Sequence, residues 1–447
     1  MDRRLKIALA ILVIILISII SFVGLFVQDT KFMKNILPEY KLGMDLKGYR
    51  SVTIKVSNET ETTYYDKDGN EVEKEVKGGT SKEIPINSDD ILTKENFTKT
   101  KNLIKQRLED LNISEYLIRL NEEDGTITAQ IPEDDMTDLA AQFLQSQGKF
   151  TIEDEEGQVL LDNSNLEKVQ VGYNNTSSLG TSVALNFKFK EDSIEKLKEI
   201  TNTYVKAEDE EGKDISKKVS INIDGSPLLE TSFSEEIANG NLQLTLGTST
   251  DSSTINSYIE QASNIAILVN NGPLPITYIM EQNRFIKSDL NLEDAIIPAI
   301  VLGAILVIAF LVLLIKYKKL GILSIFSYIG YLAILLVVIR YTNLVVTLEG
   351  ICGIIIMGII NYILLIYILQ QLKKTEKTRT EYKTAYNKSM LSMILVLIPT
   401  LIIGIALCFA LWLPAYSFGT IIFWGILIMA LYNAWITRLL FINSVKE

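Results

Sequence analysis

"LEGICGIIIMGIINYILLIYILQQLKK", Leu348 to Lys374, runs 23 residues from Gly350 to Leu372 without a charge. At about 1.5 Å per residue, a helix of that length crosses the roughly 30 Å hydrocarbon core of a bilayer. The only amide in its middle is Asn361. The stretch is read as a membrane span, and its surroundings decide whether it belongs to a larger machine.

The same signature recurs on both sides. Ile7 to Val27 is an uncharged run of 21 behind the basic start "MDRRLK", and Ala295 to Ile315 and Leu320 to Ile339 are further runs. The 49 uncharged residues between Lys388 and Arg438 are too many for one crossing, and Pro414 in "LWLPAYSFG" divides them into two spans. Six transmembrane helices are predicted. The first reads as a retained anchor: a cleaved signal has an apolar core of about 7 to 15 residues and a small-residue site, whereas "GLFVQDTK" follows here.

Charge separates the chain into two physical objects. It has 447 residues, 43 Lys+Arg against 54 Asp+Glu, and no histidine. Asp29 to Asp294 carries net −21, and the remainder net +10. Basic residues cluster in alternate short connections: Lys316, Lys318 and Lys319 in one, Lys373, Lys374, Lys377, Arg379, Lys383 and Lys388 in another, with only Arg340 on the opposite side. The positive-inside rule then puts both termini in the cytoplasm and the acidic region outside. Both cysteines, Cys352 and Cys408, fall inside spans and read as structural thiols, so no disulfide is expected in the acidic region.

The acidic region has a legible order. "SVTIKV" (51–56) alternates as a strand, and "TTYYDKDGNEVEKEV" reads as a hairpin about Asp68 and Gly69. The Asp66, Asp68, Asn70, Glu71 cluster reads as turn chemistry, because a calcium loop of the helix-loop-helix type needs its glycine at the sixth position and here it is the fourth. "TKENFTKTKNLIKQRLEDLN" places apolar residues at 97, 104, 108 and 111, a helical spacing with Thr93 and Asn96 available as caps. "EYLIRL" and "TITAQI" follow as strands, "DMTDLAAQFLQSQ" as a second helix and "KFTIED" as a strand. Strand, helix, strand, strand, helix, strand is the ferredoxin-like order. Beyond it come strands "SVALNFKF" and "KVSINIDG", a helix at 192–206, an acidic loop at 207–214 read as a solvated hairpin tip, a long helix at 253–272 and a returning strand "PLPITYIME".

The expected organisation is 1–28 as cytoplasmic tip and first span, 29–155 as an extracytoplasmic ferredoxin-like base, 156–250 as a head, 251–294 as the return to the base, and 295–447 as the other five spans with a cytoplasmic C-terminus. The fold class is a polytopic α-helical membrane protein with a large α+β extracytoplasmic domain. Without histidine, Ser-His and Cys-His pairs are excluded. No P-loop, zinc spacing or basic aromatic surface occurs, so no enzyme, cofactor, metal or nucleic-acid partner is expected.

"YKLGMDLKG" (Tyr40 to Gly48), "LIKQRLEDLNISEYLIRLNEEDGTITAQIP", "LVNNGPLPITYIMEQ", "TLEGICG" and "FGTIIFWGILIMALYNAWITRLLF" together resemble, in order and spacing, the SecD family of accessory subunits of the bacterial Sec protein-export translocase. The resemblance covers nearly the whole chain. It implies a six-span plan of the resistance-nodulation-division class, a SecF-like partner, the SecYEG channel, unfolded preprotein as substrate, membrane lipids as surroundings, and use of the proton motive force. The readings kept beside it are a stand-alone proton-driven transporter for lipids or small molecules of that class, and a non-energised translocase scaffold.

On the matching residues, Gly43, Asp45, Leu46, Lys47 and Gly48 form a fold-organising turn outside the first span, with Asp45 and Lys47 expected at the wet interface. Gly350 and Gly353, with Cys352, are expected to form a small-residue packing face. Gly425 and Arg438 are assigned to an inner anchor of the sixth span. The chain also departs from the family. An intramembrane aspartate expected in the fourth span falls on Ile359 or Ile363, a second acid falls near Leu395, and Tyr49 replaces a common glycine. Asn361 does not titrate near neutral pH, so it is expected to make a helix-helix hydrogen bond, with proton coupling weakened, lost or carried by the partner.

Overall fold

The computed structural model describes residues 3–29, 32–65, 67, 71–72, 79–113, 115–176, 180–206, 216–288, 290, 292–376 and 378–445. They form two compact units, Met1–Tyr49 with Ile286–Glu447, and Arg50–Phe285. The tip of the 60–85 hairpin, with its Asp66, Asp68, Asn70 cluster, and the acidic loop 207–214 lie outside the described residues.

Among the described residues of the first unit, six helices are long and apolar enough to cross a membrane: TM1 (Arg3–Phe22), TM2 (Leu292–Tyr317), TM3 (Lys319–Tyr341), TM4 (Leu348–Lys373), TM5 (Arg379–Leu407) and TM6 (Leu413–Tyr432). TM6 continues through a π-helical turn, Asn433–Thr437, into Arg438–Ile442. TM6 packs on TM3, TM4 and TM5, and TM3 also packs on TM1 and TM2. Lipid tails are as apolar as leucine, so helices associate where small residues let backbones approach. A Cβ on Gly419 of TM6 would stand 3.0 Å from the Gly404 carbonyl of TM5.

Three span boundaries differ from the sequence reading. TM1 stops at Phe22 rather than Val27, because Phe26–Asp29 pairs antiparallel with Phe32–Asn35 and Asn35 Oδ1 accepts from the N–H groups of Leu25 and Leu37. TM5 begins at Arg379, so Arg379, Lys383 and Lys388 ride on its first turns; Thr378 caps it. The break between TM5 and TM6 falls at 408–412, ahead of Pro414. Proline suits the first turn of TM6, where its missing N–H would have had no helical partner.

The second unit follows the order β1 (Tyr49–Val56), α1 (Lys94–Asp110), β2 (Leu117–Leu120), β3 (Ile127–Pro132), α2 (Thr137–Gln145). The chain then builds a head from β4 (Phe150–Glu153), β5 (Val159–Asp162), β6 (Leu166–Thr176), β7 (Gly180–Phe189), α3 (Ile194–Thr203), β8 (Val219–Ile223), β9 (Ser226–Thr231) and β10 (Asn241–Ser249), and returns through α4 (Ser252–Asn270) to β11 (Tyr278–Ile286). The base sheet runs β11-β1-β3-β2, so its four strands in chain order lie 4-1-3-2. This corrects the expected order in one strand. "KFTIED" supplies β4, which pairs with β5 and β8 in the head sheet β5-β4-β8-β9, and β11 closes the base instead. The second head sheet is β6-β7-β10.

The side chains explain the layers. Phe97, Ile104, Leu108 and Leu111 of the α1 region are buried as their spacing requires, and Ile127, Ala129 and Ile131 alternate into the base core. Thr93 Oγ1 accepts from Asn96 N at 3.2 Å to start α1. The head core holds Phe150, Ile152, Val183, Leu185 and Phe187, with the Phe150 and Phe187 rings stacked 5.1 Å apart. Helix α4 serves both cores: Ala262, Ala266 and Val269 enter the head, and Leu268 enters the base.

Where base meets head, Arg107 of α1 is completely buried. Its guanidinium donates to the carbonyls of Phe143 (3.1 Å), Ser146 (2.5 Å), Gln147 (2.9 Å) and Gly272 (3.0 Å). The orphan carbonyls at the end of α2 thereby gain donors that the helix cannot supply. Gly148 stands beside it at φ +75°, and a Cβ there would lie 2.6 Å from Arg107 Nη2. Only glycine fits both the left-handed backbone and the space. Burial lowers the Arg107 pKa to about 10, partly offset by Asp224, and the group stays charged at neutral pH.

Candidate functional site

The motif after TM1 is bound to the connection between TM3 and TM4. Lys41–Leu42 pairs in parallel with Val345–Val346, and Gly43 N donates to the Val346 carbonyl at 2.9 Å. One helical turn, Met44–Lys47, follows and ends at Gly48, whose φ of +88° is a left-handed conformation open to glycine. The turn aims Asp45 at the start of TM4: Asp45 Oδ2 accepts from Leu348 N at 2.5 Å, while Thr347 Oγ1 accepts from Gly350 N at 3.2 Å. Two orphan N–H groups of TM4 are therefore met by side chains, and a carboxylate at a helix N-terminus also suits the dipole.

Asp45 is half-buried rather than freely solvated, unlike the exposed Lys47; Leu46 is also half-buried. Desolvation raises the Asp45 pKa above its ordinary 3.8 despite the Leu348 N–H, and Glu349 adds repulsion. Its Oδ1 is buried without a hydrogen-bond partner. Arg340, in the last turn of TM3, stacks its guanidinium over Tyr40 at 4.4 Å.

Along TM4, Gly350 and Gly353 face TM6. A Cβ on Gly350 would meet Ser417 Oγ at 2.5 Å, and one on Gly353 would meet Ile421 Cγ2 at 3.2 Å. Cys352 is not on this face; it is exposed, because it lies one residue off the packed pair and so turns outward around the helix. Gly425 does not anchor an inner end. It lies within TM6 against Met357, which a Cβ would approach to 2.6 Å, and its carbonyl accepts from Tyr331 Oη at 3.1 Å. Arg438 is half-buried where TM6 resumes after the π-helical turn.

Asn361 is completely buried and belongs to a polar cluster drawn from four helices. Asn433 Nδ2 of TM6 donates to Asn361 Oδ1 at 2.9 Å and to the Met429 carbonyl at 2.9 Å. Thr437 Oγ1 donates to Asn433 Oδ1 at 2.7 Å and hydrogen-bonds Ser327 Oγ of TM3 at 2.6 Å, so Ser327 is the donor in that pair. Tyr386 Oη of TM5 donates to the Asn433 carbonyl at 2.5 Å. The π-helical turn 433–437 brings Asn433 and Thr437 together in one register. Ile359 and Ile363, where an aspartate was sought, are 53% and 52% exposed, and Leu395 is 57% exposed. Asn361 is the residue of that turn that faces the bundle centre. The cluster is amides and hydroxyls, which pass hydrogen bonds but hold no charge near neutral pH.

Asn433, Thr437, Ser327 and Tyr386 were not singled out from the sequence. The usable signal was the polar i, i+4 pair Asn433 and Thr437 inside an otherwise apolar span.

No family model matches the chain. It is 23% identical over 340 residues to a protein translocase subunit SecD of Acidaminococcus fermentans, covering 76% of this chain and 69% of that protein. Against SecD of Dictyoglomus turgidum it is 24% identical over 267 residues, 59% of this chain and 60% of that one. A crystal structure of SecDF in a super-membrane-facing form superposes with a TM-score of 0.55 at 16% identity, covering 99% of this chain and 57% of that chain. SecDF of Thermus thermophilus, described as a translocon-associated membrane protein, gives 0.51 at 18% identity, with 98% and 58% covered. The chain thus spans somewhat over half the length of the SecDF structures it matches.

Proposed function

From the premise that the chain belongs to the SecD family, we propose that it is an accessory subunit of the Sec translocase that assists export of unfolded preproteins from the outer side of the cytoplasmic membrane. In this reading both termini are cytoplasmic, the 50–285 unit is extracytoplasmic, and the chain works with a SecF-like protein and the SecYEG channel. The observation that carries it is the match of nearly the whole chain to the SecDF fold. Proton coupling is assigned to the partner, because the buried centre of this bundle, Asn361 with Asn433, is neutral. That same neutrality speaks against a stand-alone proton-driven transporter, which needs a titratable group in the membrane.

The test is co-purification from native membranes with a C-terminal tag, followed by mass spectrometry. A SecF-like protein with intramembrane carboxylates, together with channel subunits, is expected; recovery of neither overturns the assignment. In cells that depend on the gene, Asn361→Leu is expected to leave uncoupler-sensitive export intact. If export loses its uncoupler sensitivity at unchanged protein level, the coupling passes through this chain.

A further inference from the structure

Arg340 lies in the last turn of TM3, and the residues that join TM3 to TM4 (342–347) and TM5 to TM6 (408–412) carry no basic group. Its stacking on Tyr40 orients the guanidinium but leaves its hydrogen-bond donors unused, and Nε is buried without a hydrogen-bond partner. Among the described residues, no carboxylate forms an ion pair with it. A guanidinium at the edge of the hydrocarbon layer is costly unless an anion meets it.

Beside Arg340 opens a groove of about 360 Å³ between TM1, TM3 and TM4. Its walls include Phe22, Leu42, Leu336, Ile351 and Ile354, with Phe22 and Leu42 exposed. An occupant must therefore carry an oxyanion at one end and hydrocarbon below it. A guanidinium fork matches phosphate oxygens in pairs. Free phosphate would satisfy the fork but leave the apolar walls uncovered, and a bare acyl chain would do the reverse.

We propose that this groove is a binding site for one phospholipid of the adjacent leaflet, with the phosphate on Arg340 and an acyl chain along Leu336, Ile351 and Ile354. Tyr40 fixes the guanidinium plane, and the turn that binds residues 41–48 to the TM3–TM4 connection holds Tyr40 in place. Through these contacts an occupied groove braces the motif after TM1 against TM3 and TM4.

The experiment uses the full chain, delipidated in detergent and titrated separately with phosphatidylglycerol, with diacylglycerol of the same chains, and with inorganic phosphate. Native mass spectrometry and the thermal unfolding midpoint are read together. One retained phosphatidylglycerol and a raised midpoint are expected, with little effect from the other two. Arg340→Gln is expected to weaken retention at least tenfold. Leu42→Trp, an exposed change that fills the groove while keeping the guanidinium, is expected to weaken it similarly, so the test survives if Arg340→Gln does not fold. The triple replacement of Lys316, Lys318 and Lys319 by Gln is expected to change nothing. Equal retention by wild type and both groove variants overturns the proposal. So does an equal midpoint shift from inorganic phosphate, which would make the site one for a free anion, or from diacylglycerol, which would remove the phosphate from recognition.

Discussion

Arg107 in the 50–285 unit and Asn361 in the membrane-spanning unit are both completely buried, yet their surroundings answer that burial in opposite ways. Around Arg107, four carbonyls from the end of α2 and the turn after α4 converge on a full positive charge. Asn361 Oδ1 accepts from the neutral Asn433 amide, and the Thr437 and Ser327 hydroxyls continue the chain of hydrogen bonds from Asn433. A charge is tolerable in the first place because the backbone there already presents acceptors in need of donors. In a bilayer, a charge at a helix centre costs about 2.5–3.5 kcal/mol on insertion scales, whereas a paired amide needs no counter-charge. In each residue one nitrogen, Arg107 Nε and Asn361 Nδ2, is buried without a hydrogen-bond partner.

The largest effect is expected at the charged centre. Arg107→Met would take its donors away from four carbonyls, with Gln147 O keeping the Leu274 N–H, and is expected to cost about 3–5 kcal/mol of stability in the 50–285 unit. Hydrogen exchange of α1 and α2 amides in the full chain reads this directly, and Arg107→Lys, with fewer donors in poorer geometry, is expected to fall between. An Arg107→Met protein as protected as wild type would make the joint dispensable.

The neutral centre should respond less. Asn361→Leu and Asn433→Leu are each expected to cost about 1–2 kcal/mol in detergent unfolding, with a coupling between them of about 0.6 kcal/mol and at most ~1.7 kcal/mol. A coupling near zero would mean that the two amides do not depend on each other. Packing near the N-terminal end of TM4 gives a finer contrast. Gly350→Ala, with its Cβ 2.5 Å from Ser417 Oγ, should destabilise by about 1–2 kcal/mol, and Gly353→Ala, at 3.2 Å from Ile421, by less than about 1 kcal/mol. The reverse order would place the TM4–TM6 contact elsewhere.

The smallest effect concerns pH. Because the folded Asp45 carboxyl is raised above 3.8, the folded state binds its proton more tightly than the unfolded state. Its contribution to stability is thus fully present below 3.8 and is lost as pH rises through the raised value. Asp45→Asn should flatten that acid-side slope and leave stability at neutral pH unchanged or slightly higher, measured as unfolding midpoint against pH. A slope that survives the substitution assigns it to another group.

Much of this organisation was readable locally. The six spans follow from uncharged length, with the 49-residue run long enough for two, and α1 from its apolar positions at 97, 104, 108 and 111, because a bilayer sets the length of a span and a helix sets its repeat. The Gly350 and Gly353 packing face was readable from spacing, but its third proposed member, Cys352, turned outward. The closing strand of the base was misread for a plain reason: β4 and β11 are both short runs with strand character, and nothing within either run names its neighbour.

Arg107 reads in sequence as one more charge on a polar helix, Asp45 as a solvated turn, and Asn361 as an amide in need of some partner. Their roles depend on Gly272, Leu348 and Asn433, which lie 165, 303 and 72 positions away. Sequence by itself determined where this chain meets lipid and where it meets water, because transfer free energy is a property of the residues in the segment. Only the tertiary structure decided which buried polar groups satisfy one another, because a hydrogen bond requires two atoms within about 3 Å and the order of residues along the chain does not specify that distance.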